Sequence, residues 1–273
     1  MPYLYYPEIN RPYLYYLESA IEVIKTIKNW PLVFLDHLKL VKKSHLIYEL
    51  RNGIKYKARS YFDQRVIREI WCCKRCSYIP KGFDIQNNDV VLDIGAHIGV
   101  FSILASMYAK NGKVYSFEPT PESFDLLKQN IKLNKAENIV PINKAVSDKN
   151  GEKEFYISSK NQGGNALFPS KESEINKIIV QTTSLNKFIK ENKISQIDFL
   201  KIDCEGGEYE ILFSCSDDTL NIIDKISMEY HYIGNNSPYS SELKGFLENH
   251  GFSVTISPRP ATMLYATKGK NIL

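Results

Sequence analysis

The sequence predicts an α/β fold: a mostly parallel sheet flanked by helices, closed by a C-terminal antiparallel hairpin and preceded by a small N-terminal α+β module. Three observations predict it. Residues 90–105 read V-V-L-D-I-G-A-H-I-G-V-F-S-I-L-A, an apolar run of strand length, a glycine turn, and a helical pattern with Val100, Ile103 and Leu104 on one face. From residue 89 onward, such runs alternate with helical patterns, as in a parallel sheet. The last two runs, 251–256 and 262–267, have no helix between them, so if they pair they must do so antiparallel.

A chain of 273 residues holds one large domain and a smaller module. The boundary is expected near residue 80, giving a helical and hairpin module at 1–80 and the main domain at 81–273. The longest run without Asp, Glu, Lys or Arg, 94–109, is too short to span a bilayer. The N-terminus lacks a basic region followed by an apolar one, so a cytoplasmic protein is expected. Five cysteines, Cys72, Cys73, Cys76, Cys204 and Cys215, form no regular framework and read as reduced thiols. Cys73 and Cys76 make one C-x-x-C, but a structural zinc needs a second pair that the chain lacks, and no metal is assigned.

The net charge of +4 hides an asymmetry: residues 1–80 carry 14 Lys and Arg against 7 Asp and Glu, with ten of the 18 tyrosines. That composition suits an anionic partner such as a membrane surface, a phosphorylated lipid or nucleic acid. It equally suits a solvated basic face beside a tyrosine-rich seam. Within this module P-Y-L-Y-Y occurs at 2–6 and again at 12–16, too few copies for a solenoid. Residues 17–30 give an amphipathic helix with Leu17, Ile21, Ile24 and Ile27 on one stripe, stopped by Pro31. Residues 32–41 give a second short apolar helix, ended by Lys42 and Lys43. Such a pair can pack on its own domain or lie on a membrane, so peripheral membrane contact through residues 1–43 is one expectation. Residues 44–60 alternate as a hairpin turning at Asn52-Gly53, a dipeptide that tolerates positive φ. Residues 63–71 return to helix, with Val66, Ile67 and Ile70 apolar.

In the main domain, strand one is 90–94 and strand two 113–118, followed by a helix at 121–133. Strand three is 139–146. Residues 153–158 and 178–183 read as an inserted pair of strands around a Gly163-Gly164 loop, followed by a short helix at 184–191. Strand four is 197–203, strand five 225–229, and a helix spans 240–250 before the closing hairpin.

The glycine turn decides the ligand class. Its order is D-x-G-x-x-x-G, from Asp93 through Gly95 and His97 to Gly99. A dinucleotide fingerprint needs G-x-G-x-x-G and a P-loop needs G-K-[ST], so this turn suits a nucleoside ligand without phosphates. Glu118 ends strand two, where a carboxylate can accept hydrogen bonds from both hydroxyls of a ribose. Ala145 and Val146, after strand three, can wall an adenine slot. After strand four comes K-I-D-C-E-G-G-E, 201–208, with three acids around a double-glycine turn. Burial of acids is costly, so this cluster should face a cleft or water. Asp203 there can hold cofactor or substrate, and Glu205 and Glu208 can meet a hydroxyl, an ammonium group or a metal. His231, after strand five, is a candidate general base because a neutral imidazole titrates near working pH.

Taken together, these motifs resemble the FkbM family of S-adenosylmethionine (SAM)-dependent methyltransferases. The residues that carry the resemblance are V-L-D-I-G-A-H-I-G-V-F-S (91–102), F-E-P-T-P (117–121), A-V-S-D (145–148), T-S-L (183–185), I-D-F-L-K-I-D-C-E-G-G-E (197–208) and M-E-Y-H (228–231). Their order and spacing cover about residues 85–270. His97 stands where such families often carry Asn. The resemblance implies a Rossmann-like class I methyltransferase sheet, SAM as cofactor, and O-methylation of a hydroxyl on a small molecule, sugar, glycolipid or polyketide. It implies that the turn from Asp93 to Gly99 holds the amino-acid end of SAM and Glu118 the ribose. His231 or Asp203 would then take the hydroxyl proton, with Glu205 beside them.

Two rivals stay open. In one, the basic module binds RNA and the chain methylates nucleic acid; against this, no N-P-P-Y-like motif follows strand four. In the other, the chain is a non-catalytic scaffold on a SAM-binding fold.

Overall fold

The computed structural model describes residues 20–41, 43–59, 61–72, 78–158, 175–231, 239–257 and 262–269. The P-Y-L-Y-Y pair, Cys73, Cys76 and the Gly163-Gly164 loop lie outside them.

Among the described residues the N-terminal module opens with helix α1 (residues 20–26), which ends before the expected Trp30. It stops because Ile27 leaves to bridge Leu50, and Lys28 N–H donates to Glu49 O at 2.7 Å. Helix α2 (Pro31–His37) starts on a proline, whose missing N–H costs nothing in a first turn. It ends before the expected Val41, because Lys39 adopts φ 57. Strands β1 (Leu46–Glu49) and β2 (Lys55–Ala58) form the expected antiparallel hairpin, with Gly53 at φ 92 in its turn. Helix α3 (Tyr61–Cys72) follows.

From there the chain runs β3 (Val90–Ile94), α4 (Val100–Tyr108), β4 (Lys113–Phe117), α5 (Pro121–Asn134), β5 (Ile139–Ile142), β6 (Ala145–Val146), β7 (Gly151–Ser158) and β8 (Ile175–Thr183). It continues through α6 (Leu185–Asn192), β9 (Phe199–Ile202), α7 (Glu208–Phe213), α8 (Asp217–Asn221), β10 (Lys225–Glu229), α9 (Tyr239–Asn249), β11 (Phe252–Ile256) and β12 (Met263–Lys268). Seven strands make one sheet in the order β11-β12-β10-β9-β3-β4-β5. The pairs β5–β4, β4–β3, β3–β9 and β9–β10 are parallel. β12 runs antiparallel to both β10 and β11, as the missing crossover requires.

The main domain departs from the sequence reading at strand three and at two short helices. The predicted strand 139–146 is divided: β5 stays in the main sheet, while β6 joins β8 and β7 in a separate three-stranded sheet. Asn143 marks the break, donating its side-chain amide to Glu118 O at 2.9 Å and Pro119 O at 3.1 Å. Helices α7 and α8, of 6 and 5 residues, are too short to show a helical period in sequence.

Alternation along the central strands sorts side chains into two layers. Val91 and Phe199 join the N-terminal module and α4 in one core cluster. Leu92, Leu200 and Ile202 join α6, α7 and α9 in the other. The first cluster runs across residue 80, from Val23, Tyr48 and Tyr56 to Val100 and Tyr265. The module is also tied to the sheet layer by α5. Asn134 receives Lys55 N–H at 2.8 Å and donates to Lys55 O at 2.7 Å. Asn130, one turn back, repeats this on Lys57 at 2.7 and 3.1 Å. Two side-chain amides thus pair the edge of β2 as a neighbouring strand would.

Candidate active site

Sheet order reverses at β3, with β4 on one side and β9 on the other, and an open α/β sheet forms its ligand crevice outside the strand ends at such a point. A cleft of about 250 Å³ lies there, lined by the ends of β3, β4, β9 and β10, by β6, and by α3 from the N-terminal module.

The glycine turn shapes one wall. Gly95 has φ +79, and a Cβ there would run into the Asp203 backbone carbonyl, so the turn and the K-I-D-C-E-G-G-E segment touch only if residue 95 is glycine. Gly99, at φ +86, would press a Cβ into Leu127 and lies behind the wall, outside the cleft. Asp93 is also not a wall residue. It is fully buried and accepts from Ser102 Oγ at 2.6 Å, while the buried Lys201 ammonium stands 3.1 Å from its Oδ1. Lys201 also donates to Gly95 O at 2.8 Å. Burial pulls the Lys201 pKa down, but Asp93 and Asp203 outweigh it, so the ammonium sits above its usual value.

Glu118 lines the cleft, as expected of a strand-end carboxylate. Its Oε2 accepts from His97 N–H at 2.9 Å, and its Oε1 from the Thr120 amide at 2.9 Å and the Thr120 hydroxyl. Three of the roughly four acceptor positions of a carboxylate are thus filled by the protein, leaving one for a ligand. Ala145 and Val146 line the cleft beside Glu118 and Pro119. His97 lines it too, but its ring Nε2 turns to the N-terminal module, 3.1 Å from Asp63 Oδ1 and 3.2 Å from Arg59 Nη2.

The second group of side chains is acidic. Asp203, Glu205, Glu229 and His231 all line the cleft. The Tyr78 hydroxyl stands 2.8 Å from Asp203 Oδ2 and 3.3 Å from Glu229 Oε2. Thr262 Oγ1 donates to Glu229 Oε1 at 3.3 Å. His231 Nδ1 lies 2.9 Å from Glu208 Oε1, and its Nε2 lies 3.6 Å from Glu205 Oε2. Glu208 is fully buried and accepts from the Cys204 and Gly206 amides at 3.1 Å each, so it braces the turn and is not a wall residue. Burial, with same-sign neighbours, raises Glu205 to about 7, and burial together with Asp203 raises Glu229 to about 7. Burial would lower His231, but Glu208 and Glu205 outweigh it and raise it to about 10.

Tyr78 and Glu229 escaped the sequence reading. Tyr78 lies in the module, with no local signal; Glu229 was visible only as a neighbour of His231 in M-E-Y-H. Asp203, Glu205 and His231, from two separate segments, place one ligand-type atom each within 4.8 Å of one another, which spacing in the sequence does not reveal. Cys72, Cys204 and Cys215 are free thiols.

A parallel sheet with β12 reversed, a glycine turn at the switch point and a carboxylate ending β4 define a class I SAM-dependent methyltransferase. The sequence matches the methyltransferase FkbM domain over residues 93–254, and the chain belongs to that family. It is 28% identical over 228 residues to the 31-O-demethyl-FK506 methyltransferase FkbM of Streptomyces tacrolimicus, covering 72% of this chain and 84% of that one. It is 23% identical over 205 residues to methyltransferase sdnD of Sordaria araneosa, covering 63% and 78%. It is 25% identical over 148 residues to the hexuronic acid methyltransferase AglP of Haloferax volcanii, covering 54% and 58%.

SAM is the cofactor, and the cleft fits it. Glycine at position 95 opens the wall, small side chains at 145 and 146 leave room for a flat base, and Glu118 keeps an acceptor position for a ribose hydroxyl.

Proposed function

We propose that this methyltransferase acts on a hydroxyl group of a small molecule, sugar, glycolipid or polyketide. The observation that carries this reading is the packing of Gly95 against Asp203, which puts the cofactor turn and the acidic group in one cleft. The names of two relatives, a 31-O-demethyl-FK506 methyltransferase and a hexuronic acid methyltransferase, support an oxygen-rich acceptor.

SAM supplies a methyl group already activated by a sulfonium, so the protein's part is position and exclusion of water. Glu118 orients the ribose, and Ala145 and Val146 bound the base. Gly95, His97 and Asp203 border the amino-acid end, while Asp93 and Gly99 hold that turn in shape from behind. Asp203 and Glu205 receive the acceptor hydroxyl, whose proton passes to a carboxylate as the C–O bond forms and the C–S bond breaks. The apolar wall of α3, Phe62, Val66 and Ile70, keeps the cleft dry.

Peripheral membrane contact through residues 1–43 belongs to the same proposal. It is supported by Phe34, Leu35, Leu38 and Leu40, which are 37–65% exposed beside Lys39 and Lys43. Among the described residues, no helix is long and apolar enough to cross a membrane.

The test is incubation with methyl-labelled SAM and a panel of hydroxyl acceptors. Label is expected in an ether product and should disappear when the hydroxyl is blocked. Label on the bases of RNA, or only on nitrogen, would overturn the hydroxyl assignment, and label on the 2′-hydroxyl of RNA would overturn the small-molecule acceptor. Failure to bind S-adenosylhomocysteine would favour the scaffold reading.

A further inference from the structure

We propose that Asp203, Glu205 and His231 bind a divalent cation of the Mn²⁺ type at the acceptor end of the cleft. The inference rests on the hydroxyl-transfer reading only for what the cation does; its binding stands on the geometry alone.

One carboxylate oxygen from each of Asp203 and Glu205 and one imidazole nitrogen from His231 can lie within 4.8 Å of one another, close enough to share one ion. They come from two strand ends, the turn after β9 and the residue two past β10, so neighbouring positions in sequence do not explain the convergence. His231 is oriented as a metal-bound imidazole usually is. Its Nδ1 meets a carboxylate, Glu208 Oε1 at 2.9 Å, which leaves Nε2 toward Glu205. Glu208 itself is fully buried, and its Oε2 has no hydrogen-bond partner among the described residues. Its Oε1 is held by the Cys204 and Gly206 amides and by His231, and this buried carboxylate adds negative charge behind the site, as Glu229 does beside it. The buried ammonium nearby, Lys201, is 3.8 Å from Asp203 but closer to Asp93, at 3.1 Å. Among the described residues, Asp203, Glu205 and Glu229 line this end of the cleft with Glu208 behind them, a set of carboxylates that a divalent ion would bind.

Two carboxylates and one imidazole suit a hard or borderline divalent ion. Held by three side chains, such an ion keeps open positions for the acceptor. A hydroxyl with a second oxygen on the adjacent carbon would chelate it through both. The bound hydroxyl would lose its proton more readily, to Glu229, the cleft carboxylate that is not a ligand, and the ion would offset the oxygen's negative charge until the C–O bond forms and the C–S bond of SAM breaks. The acceptor class narrows to vicinal oxygens, as in a sugar diol or a hydroxy acid.

The test is titration of the full chain with MnCl₂, following free Mn²⁺ by electron paramagnetic resonance. It is paired with calorimetric titration of S-adenosylhomocysteine on the same samples. The wild type should bind one Mn²⁺ per chain. Glu205→Gln and His231→Gln should each weaken that binding about tenfold or more, the range expected when the ligand shell of a metal is disturbed. Their S-adenosylhomocysteine affinity should stay at the wild-type value, which also shows that they are folded. No Mn²⁺ binding by the wild type, or unchanged binding in both folded variants, would overturn the proposal. S-adenosylhomocysteine binding without Mn²⁺ binding removes the cation and leaves the methyltransferase reading standing. Mn²⁺ binding without S-adenosylhomocysteine binding does the reverse.

Discussion

Asp93 Oδ1 and Lys201 Nζ lie 3.1 Å apart, both side chains buried, beneath the glycine turn that walls the cleft. The acid that opens the glycine motif is thus committed to a partner on the neighbouring strand. It shapes the turn from below through Lys201, which also holds the Gly95 carbonyl.

Asp93→Asn should leave Lys201 buried with only the more distant Asp203 to balance it. Removing one partner of a buried pair costs about 3–5 kcal/mol, so urea midpoints should fall sharply. Asp93→Asn combined with Lys201→Met should recover part of the loss, because no uncompensated ammonium remains.

Glu118→Ala should weaken S-adenosylhomocysteine binding by about 1.5–3 kcal/mol, the worth of a hydrogen bond to a charged group, measured by calorimetry. Because the same carboxylate fixes the His97 amide and Thr120, the melting temperature should fall as well. Glu118→Gln should keep part of both.

Gly95→Ala should act differently. The added methyl meets the Asp203 carbonyl, and φ +79 is strained for any residue with a Cβ. Cofactor affinity should drop by more than tenfold (about 1.4 kcal/mol or more) because the two walls must separate. Wild-type affinity in this variant would mean that the turn is not the cofactor wall.

Asn130→Ala should leave the Lys57 N–H and C=O without their partners at the edge of β2. Unsatisfied buried groups cost about 1–3 kcal/mol each, so the hairpin amides should exchange faster with deuterium than the strands of the main sheet.

Asp63 ties the module to the turn through Arg59 and His97. Burial would raise its pKa, but His97 and Arg59 outweigh it and hold the carboxyl well below the usual carboxylate range. A depressed pKa means stability that is full above the unfolded value of about 3.9 and is lost as pH falls through the folded value. Asp63→Asn should therefore destabilise strongly at pH 7, and its effect should begin to shrink only below about pH 4 and continue to shrink as the pH falls further, read from paired denaturant melts at several pH values.

Short-range patterns determined much of this protein from sequence alone. Apolar runs bounded by turn residues set the strands, the missing crossover set the reversal of β12, and D-x-G-x-x-x-G followed by an acid ending the next strand set the cofactor class. These signals are legible because periodicity and turn chemistry act over a few residues. Tertiary structure alone decided the partners. It spent Asp93 on Lys201, gave Glu208 to the turn and His231, and broke strand three at Asn143. It also brought Tyr78, 125 residues away in the chain, onto Asp203. A buried charge takes whichever partner the packed strand ends supply. That choice depends on which elements meet across the sheet, a relation no local pattern carries.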